Sequence, residues 1–157
     1  MKTLGSALFL VLGLTLFTSL AAAADIRLTG CEFSVRMPEN AIRRQVQSQF
    51  YSYEQVRAID QDGVLQAECL PVAASEDQVR AMVLQHAVST GGHGVSISRV
   101  GRGQFEARYY KTIDGIVVTY LTHIHVGQTS TMVATGGIAS TKFPSNRIST
   151  FHRSIKR

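Results

Sequence analysis

The chain has few of the residues that mark specialised folds and sites. Two cysteines and no C-x-x-C pair among 157 residues exclude a disulfide-dense scaffold and a dithiol redox site. No G-x-S-x-G elbow surrounds a serine, so Ser75, Ser89 and His86 do not read as a nucleophile and its base. The glycine-rich Gly91 to Val95 and Gly101 to Gly103 run into no helix, and they read as turns rather than phosphate loops. Asp60 and Asp62 lack the later ligands and terminal glutamate of a calcium loop. There is no internal repeat, no low-complexity tract and no long linker.

One apolar run does stand out, at the N-terminus. Lys2 supplies a positive start, Ala7 to Leu20 an apolar core, and Ala21 to Ala24 the small residues a signal peptidase reads, the three parts of a secretory signal. Cleavage is expected after Ala24, leaving residues 25–157 as one domain in the periplasm or outside the cell. A membrane-spanning reading is weaker, because the run is short and ends in alanines rather than in a basic flank. The remaining length is within the common single-domain range and can bury one core. The formal charge of the whole sequence is +5, and Lys2 leaves with the leader. The other cations are scattered except for Arg147, Arg153, Lys156 and Arg157 near the C-terminus. This balance suits an envelope protein, an anionic envelope component or a membrane surface as partner. Nucleic acid is not expected, since export separates the two and no recognition motif accompanies the charge.

Cys31 and Cys69 form an even count in an oxidising compartment, which favours one disulfide. Leu28-Thr29-Gly30-Cys31 also has the pattern of a bacterial lipobox, in which Cys31 would carry lipid and anchor the protein to a surface. Asp25 and Arg27 stand where a lipobox has apolar residues, and lipidation would strand Cys69. The disulfide is the favoured reading.

Along the chain, Phe33, Val35 and Met37 alternate with polar residues up to Pro38, as in a half-buried strand. Asn40 to Phe50 is ambiguous: Ile42, Val46 and Phe50 have helical spacing, while the glutamine-rich surroundings fit an extended arm. Tyr51 to Ile59 and Val64 to Leu70 flank a turn in which Gly63 takes positive φ at low cost, which predicts a hairpin with Cys69 on its second strand. Ser75 to Gly92 predicts the clearest helix, with Ser75 and Gln78 as a capping box and Val79, Met82, Val83 and Ala87 as its apolar face. His86 falls near that face and is expected to be partly buried in the core. Four strand-like segments then predict an antiparallel meander. Ile148, Phe151 and Ile155 predict one face of a closing helix capped by Ser145. Strand, hairpin, helix, meander and helix together describe an α+β fold with helices packed on an antiparallel sheet.

Phe33 to Pro38 as an opening strand, Gly101 to Gly137 as a three-stranded meander and Ile148 to Arg157 as a closing amphipathic helix resemble the PsbP/Mog1-like domains of exported and lumenal proteins. Phe151 and Ser154 stand near the aromatic and serine often found in that helix. Ser130-Thr131-Met132 departs from the aromatic the family often has in its last strand, and Asn40 to Tyr53 does not align. The resemblance implies a compact domain serving binding, assembly or scaffolding, and it carries over no catalytic residue.

Chemistry could reside in His123 and His125, which as i and i+2 of a strand project from one face and could both reach a zinc or copper ion. A third ligand would have to come from His93, Glu106 or Asp114. Otherwise the two imidazoles are solvated polar residues beside Leu121. Arg108, Tyr110 and Lys111 are candidates for a binding face, since exposed tyrosine and arginine anchor interfaces, and Arg153, Lys156 and Arg157 are candidates for a basic one. The expected function is that of an exported, non-catalytic binding or assembly module of the bacterial envelope, with no cofactor. A metal-binding protein or metal-dependent enzyme using His123 and His125, and a surface protein lipidated at Cys31, are the alternatives.

Overall fold

The computed structural model describes residues 23–48 and 51–157, so the expected leader, apart from Ala23 and Ala24, lies outside the described residues. β1 (Ala23–Arg27) and β2 (Ser34–Pro38) pair antiparallel as a separate ribbon. β3 (Ile42–Gln47), β4 (Ser52–Asp60) and β5 (Gly63–Leu70) form a first meander. α1 (Glu76–Ser89) carries the chain to the far edge, from which β6 (His93–Gly101), β7 (Gln104–Ile113), β8 (Ile116–Val126) and β9 (Thr131–Ala139) return as a second. β9 then pairs with β5, joining the two meanders into one seven-stranded sheet of order β3-β4-β5-β9-β8-β7-β6. α2 (Asn146–Arg153) closes the chain. The fold is α+β, with antiparallel pairing throughout.

Period-two alternation sorts the sheet into two faces. On one, Val56, Ala67, Met132 and Ala134 meet Val35 and Met37 of the ribbon and Ile148 and Phe151 of α2 in the larger core. On the other, α1 sets Val79 and Val83 against Phe105, Ala107 and Ile124. The protein therefore has three layers, with the sheet in the middle. The Cys31–Cys69 disulfide, with Cα atoms 5.8 Å apart, fastens the ribbon to β5. A Cys31 sulfur bonded to Cys69 has no valence for a thioether-linked lipid, so this form of the protein and the lipid-anchored one exclude each other.

The capping box of α1 is present: Gln78 N–H donates to Ser75 Oγ at 3.3 Å and Ser75 N–H donates to Gln78 Oε1 at 2.7 Å. The buried stripe of α1 is narrow, made of Val79, Val83 and Ala87 at four-residue steps. Met82 and His86 form the neighbouring stripe. His86 is exposed rather than part of the core, because that stripe overhangs a half of the sheet that carries polar side chains. The ambiguous segment is the edge strand β3, paired with β4 from Ile42↔Arg57 to Gln47↔Ser52. With Ile42 largely exposed, a helix there would have no apolar stripe to bury. β1 begins within the residues expected to be cleaved; cleavage after Ala24 would leave its pairs Asp25↔Arg36, Ile26↔Val35 and Arg27↔Ser34. Ser145 is the N-cap residue of α2, yet its side chain makes no cap bond. Ile155 lies beyond the helix and still packs on the core.

The β4–β5 turn shows how closely the joined meanders approach. Gly63 has φ +123°, and a Cβ there would overlap the carbonyl of Gly137 on β9. Gly63→Ala is expected to lower stability by roughly 1–3 kcal/mol through strain and displacement of that carbonyl, read as a shift of the urea midpoint. An unchanged midpoint would show that the turn can relax away from β9.

Candidate functional site

The α1 side of the sheet is only half covered. Over the β5–β9–β8 strip, between the helix and the first meander, lies a cavity of about 320 Å³, lined by Arg44, Arg57, Glu68, His86, Lys111 and Tyr120 among others. Two further hollows along α1, of about 50 and 480 Å³, share His86 and Glu68 with it and extend it into one cleft. Register explains the floor. Arg57, Gln66, Thr135 and Thr122 form one row across β4, β5, β9 and β8. Val64, Gly137, Tyr120 and Tyr109 form the next, running on to β7. Gly137 is the low point: a Cβ there would come within 2.6 Å of Tyr120 Cε1 and 2.8 Å of Val64 Cγ1. Its absence lets the Tyr120 ring lie over the strand, stacked on Tyr109 with centroids 4.9 Å apart and planes 6° from parallel. The His86 ring meets Tyr109 edge-on at 6.1 Å.

A polar chain fixes one side of this floor. Arg44 Nε donates to Gln55 Oε1 at 2.5 Å, and Gln55 Nε2 donates to Glu68 Oε1. Gln66 Nε2 donates to the same Glu68 oxygen at 2.6 Å. Arg44, Arg57 and Lys111 line the cavity against the one carboxylate of Glu68, and among the described residues none of the three cations is ion-paired. The Nε of Arg57 is buried with no hydrogen-bond partner. Burial pushes the Tyr109 hydroxyl well above its usual range, with Tyr120 and Glu68 adding to it. Burial also raises Tyr120 and Tyr53, so all three hydroxyls keep their protons at neutral pH.

His123 and His125 do share a face, the opposite one, beneath α2. Neither is simply solvated: His123 stacks on His152 of α2 at 4.0 Å and is 3.2 Å from Glu106 Oε2 through Nε2. His125 meets the Phe33 ring edge-on, and burial, reinforced by His123, holds its pKa below the ordinary imidazole value. Of the proposed third ligands Glu106 is thus close, while His93 stands opposite Tyr110 at the start of β6 and Asp114 sits in the β7–β8 turn. Among the described residues no three His, Cys, Asp or Glu side chains are placed to share one metal ion.

Arg108, Tyr110 and Lys111 do not form one face. Arg108 and Tyr110 point to the α2 side, where the Arg108 guanidinium lies 4.9 Å above the Phe143 ring, and Lys111, one residue out of phase, enters the cleft. The basic C-terminal group is largely committed to structure. Lys156 pairs with Asp25, and its backbone bridges to Ser34. Arg157 pairs with Glu32, whose carboxylate also accepts the backbone N–H groups of Thr129 and Ser130 at 2.7 and 3.1 Å. Those backbone donors and the Arg157 guanidinium hold the Glu32 pKa down to about 2. Arg147 clamps Asp60 through its two terminal guanidinium nitrogens, which donate to Oδ1 and Oδ2. Arg153 alone of the expected basic residues is exposed and not ion-paired among the described residues. Sequence reasoning missed the cleft because its lining comes from β3, β4, β5, β7, β8, β9 and α1; the alternating Arg44, Gln55, Arg57, Gln66 and Glu68 were its signal.

No protein-family model matches this chain, and no curated protein matches it.

Proposed function

We propose that the protein is an exported, non-catalytic binding module of the bacterial envelope and that it takes its ligand in the cleft between α1 and the sheet. The observation that carries this reading is a concave polar floor whose cations are not ion-paired, whereas Arg147, Lys156 and Arg157 of the C-terminal basic group are already engaged. A concave site with a few convergent polar groups is the usual form of a small-ligand site. The lining favours holding over transforming: its arginines and lysine are oxyanion binders, the buried tyrosines are proton donors in hydrogen bonds rather than bases, and His86, the one imidazole of the lining, stands edge-on to Tyr109 rather than paired with a nucleophile. Glu68 is tied down by two amides. The Cys31–Cys69 bond is consistent with an oxidising, exported location. The resemblance of Phe33 to Pro38, Gly101 to Gly137 and Ile148 to Arg157 to PsbP/Mog1-like domains is in line with this reading, since such domains generally serve binding or assembly.

Native mass spectrometry of protein purified from the producing cell's envelope tests the reading. Wild type is expected to retain a small molecule that Gln66→Trp, filling the floor of the cleft, releases. Each protein at its own bare polypeptide mass, with no change in cleft amide signals when the small-molecule fraction of the envelope is added back, would refute it.

A further inference from the structure

We infer that the cleft selects a small organic anion, with a carboxylate or phosphate held by Arg57 between Arg44 and Lys111 and a cyclic body against Tyr120. This rests on the cleft being the binding site, and it specifies the chemistry of the occupant. Three lines of geometry converge on it.

The first is charge. Three cations face one carboxylate in the cavity, and that carboxylate is already occupied at Oε1 by Gln55 and Gln66. Arg44 has a partner in the neutral Gln55 amide, which orients it without cancelling its charge. Arg57 has a buried Nε with no acceptor at all. Its two terminal guanidinium nitrogens are not among the buried atoms and have no protein acceptor among the described residues, so a ligand oxyanion can accept their parallel N–H bonds and offset the cost of leaving the charge unpartnered. A metal cation would meet the opposite field here, and a neutral ligand would leave the guanidinium as it stands.

The second is the helix end that faces the site. The C-terminus of α1 would ordinarily present free carbonyls and the negative end of its dipole to an anion. Here the His86 carbonyl accepts from Thr90 Oγ1 at 2.8 Å and Ser89 Oγ at 3.0 Å. The Ala87 carbonyl accepts from Gly92 N–H at 2.6 Å and shares the single Thr90 hydroxyl proton with the His86 carbonyl. The lone pairs nearest the cavity are therefore already engaged by donors.

The third is shape. The hollow that holds the three cations is about 320 Å³, at the small end of ligand sites, and together with the hollow of about 480 Å³ that continues it along α1 the cleft stays within the size range of small-molecule sites. Its wall beside Arg57 is the stacked Tyr120–Tyr109 pair seated over Gly137. An aromatic or sugar ring attached to the anionic group would lie against that wall, as planar and apolar faces do on tyrosine.

Calorimetric titration of the full mature protein with benzoate, phenyl phosphate, inorganic phosphate and benzamide tests the inference. Benzoate or phenyl phosphate is expected to bind at least about tenfold more tightly than neutral benzamide, and which of the two binds better separates a carboxylate from a phosphate ligand. Inorganic phosphate, lacking the ring, is expected to be the weaker anion. Arg57→Met and, independently, Lys111→Glu are each expected to weaken the better probe roughly tenfold or more, whereas Arg153→Met, outside the cleft, leaves it unchanged. The paired strand variants guard against one of them failing to fold. Equal binding of benzamide, no binding of either ring anion, or equal losses in Arg57→Met and Arg153→Met would overturn the inference. A neutral co-purified molecule displaced by Gln66→Trp would overturn it too while leaving the cleft as the binding site; no molecule displaced, together with no response of the cleft amides to the added small-molecule fraction, would refute the cleft itself.

Discussion

Removing the disulfide by the double substitution C31A/C69A is expected to lower stability by about 3–4 kcal/mol, the chain-entropy value for a loop closed across 38 positions. Such a loss is a large share of what holds a domain of this size folded. The damage should also be uneven. The β1–β2 ribbon shares no ladder with the seven-stranded sheet. Apart from core packing it is held to the sheet by the disulfide, Thr29 N–H to Glu54 Oε2 at 2.7 Å and Glu32 to the β8–β9 loop, and to the end of the chain by Arg36 N–H to Ser154 Oγ, the Ser34–Lys156 backbone bridge and the Asp25–Lys156 and Glu32–Arg157 pairs. Amide exchange is therefore expected to rise first in β1, β2 and the last residues of the chain, with β5, β8 and β9 protected until global unfolding. Guanidinium titration of the variant, and of wild type with and without reductant, gives the total. Residue-resolved exchange gives its distribution. Uniform acceleration over the whole sheet would show that the ribbon is part of one cooperative unit and not a layer pinned to it.

The elements that were legible in the sequence are those whose signal is local. The capping box at Ser75 and Gln78, the turn at Asp60 to Gly63 and the alternation within each single strand of β7, β8 and β9 lie within a dozen residues, and each element forms where its pattern stands. The disulfide followed from parity in an expected compartment. What was not legible depends on which face a neighbour covers. β3 could be read either way because its partner β4 supplies the hydrogen bonds while its own side chains bury little. His86 has the same helical spacing as a core residue, and only the polar row beneath it decides that it is exposed. For His123 and His125 the shared face was readable from their spacing, but α2 on top of them was not. The basic tail looked free in sequence because Asp25 and Glu32, its partners, lie more than a hundred residues earlier. The cleft combines all of these, since a row of alternating polar residues on three strands becomes a site only once β5 pairs with β9.

Acid is expected to destabilise the protein well above the carboxylate range, and His152 is the reason. Its ring is buried under α2, with Nε2–H donating to the Ala134 carbonyl at 3.1 Å and Nδ1 left without a partner. Burial, then the neighbouring His123, holds its pKa down to about 3; His125 pushes the same way and the bond to Ala134 partly opposes them. In the unfolded chain the imidazole titrates near its ordinary value of about 6.5. Between those limits the unfolded chain carries a proton that the folded one lacks, so stability rises with pH through this window and is lost as pH falls. One proton corresponds to about 1.4 kcal/mol per pH unit once the unfolded imidazole is fully charged and half that at pH 6.5, so about 1.7 kcal/mol should disappear between pH 6.5 and 5. His125, also lowered by burial, adds to the loss in the same direction. The lowered carboxylates Glu32, Glu54 and Asp25 contribute below the usual carboxylate values, where they too lose stability as pH falls. The interval above pH 5 therefore isolates the imidazoles. Denaturant titrations at closely spaced pH values should give the slope, and His152→Gln, whose amide can still donate to Ala134, should remove most of it while leaving the loss at lower pH in place. If His152→Gln kept the full wild-type slope, His152 would have to take up its proton in the folded state, with α2 lifting from the sheet to admit water.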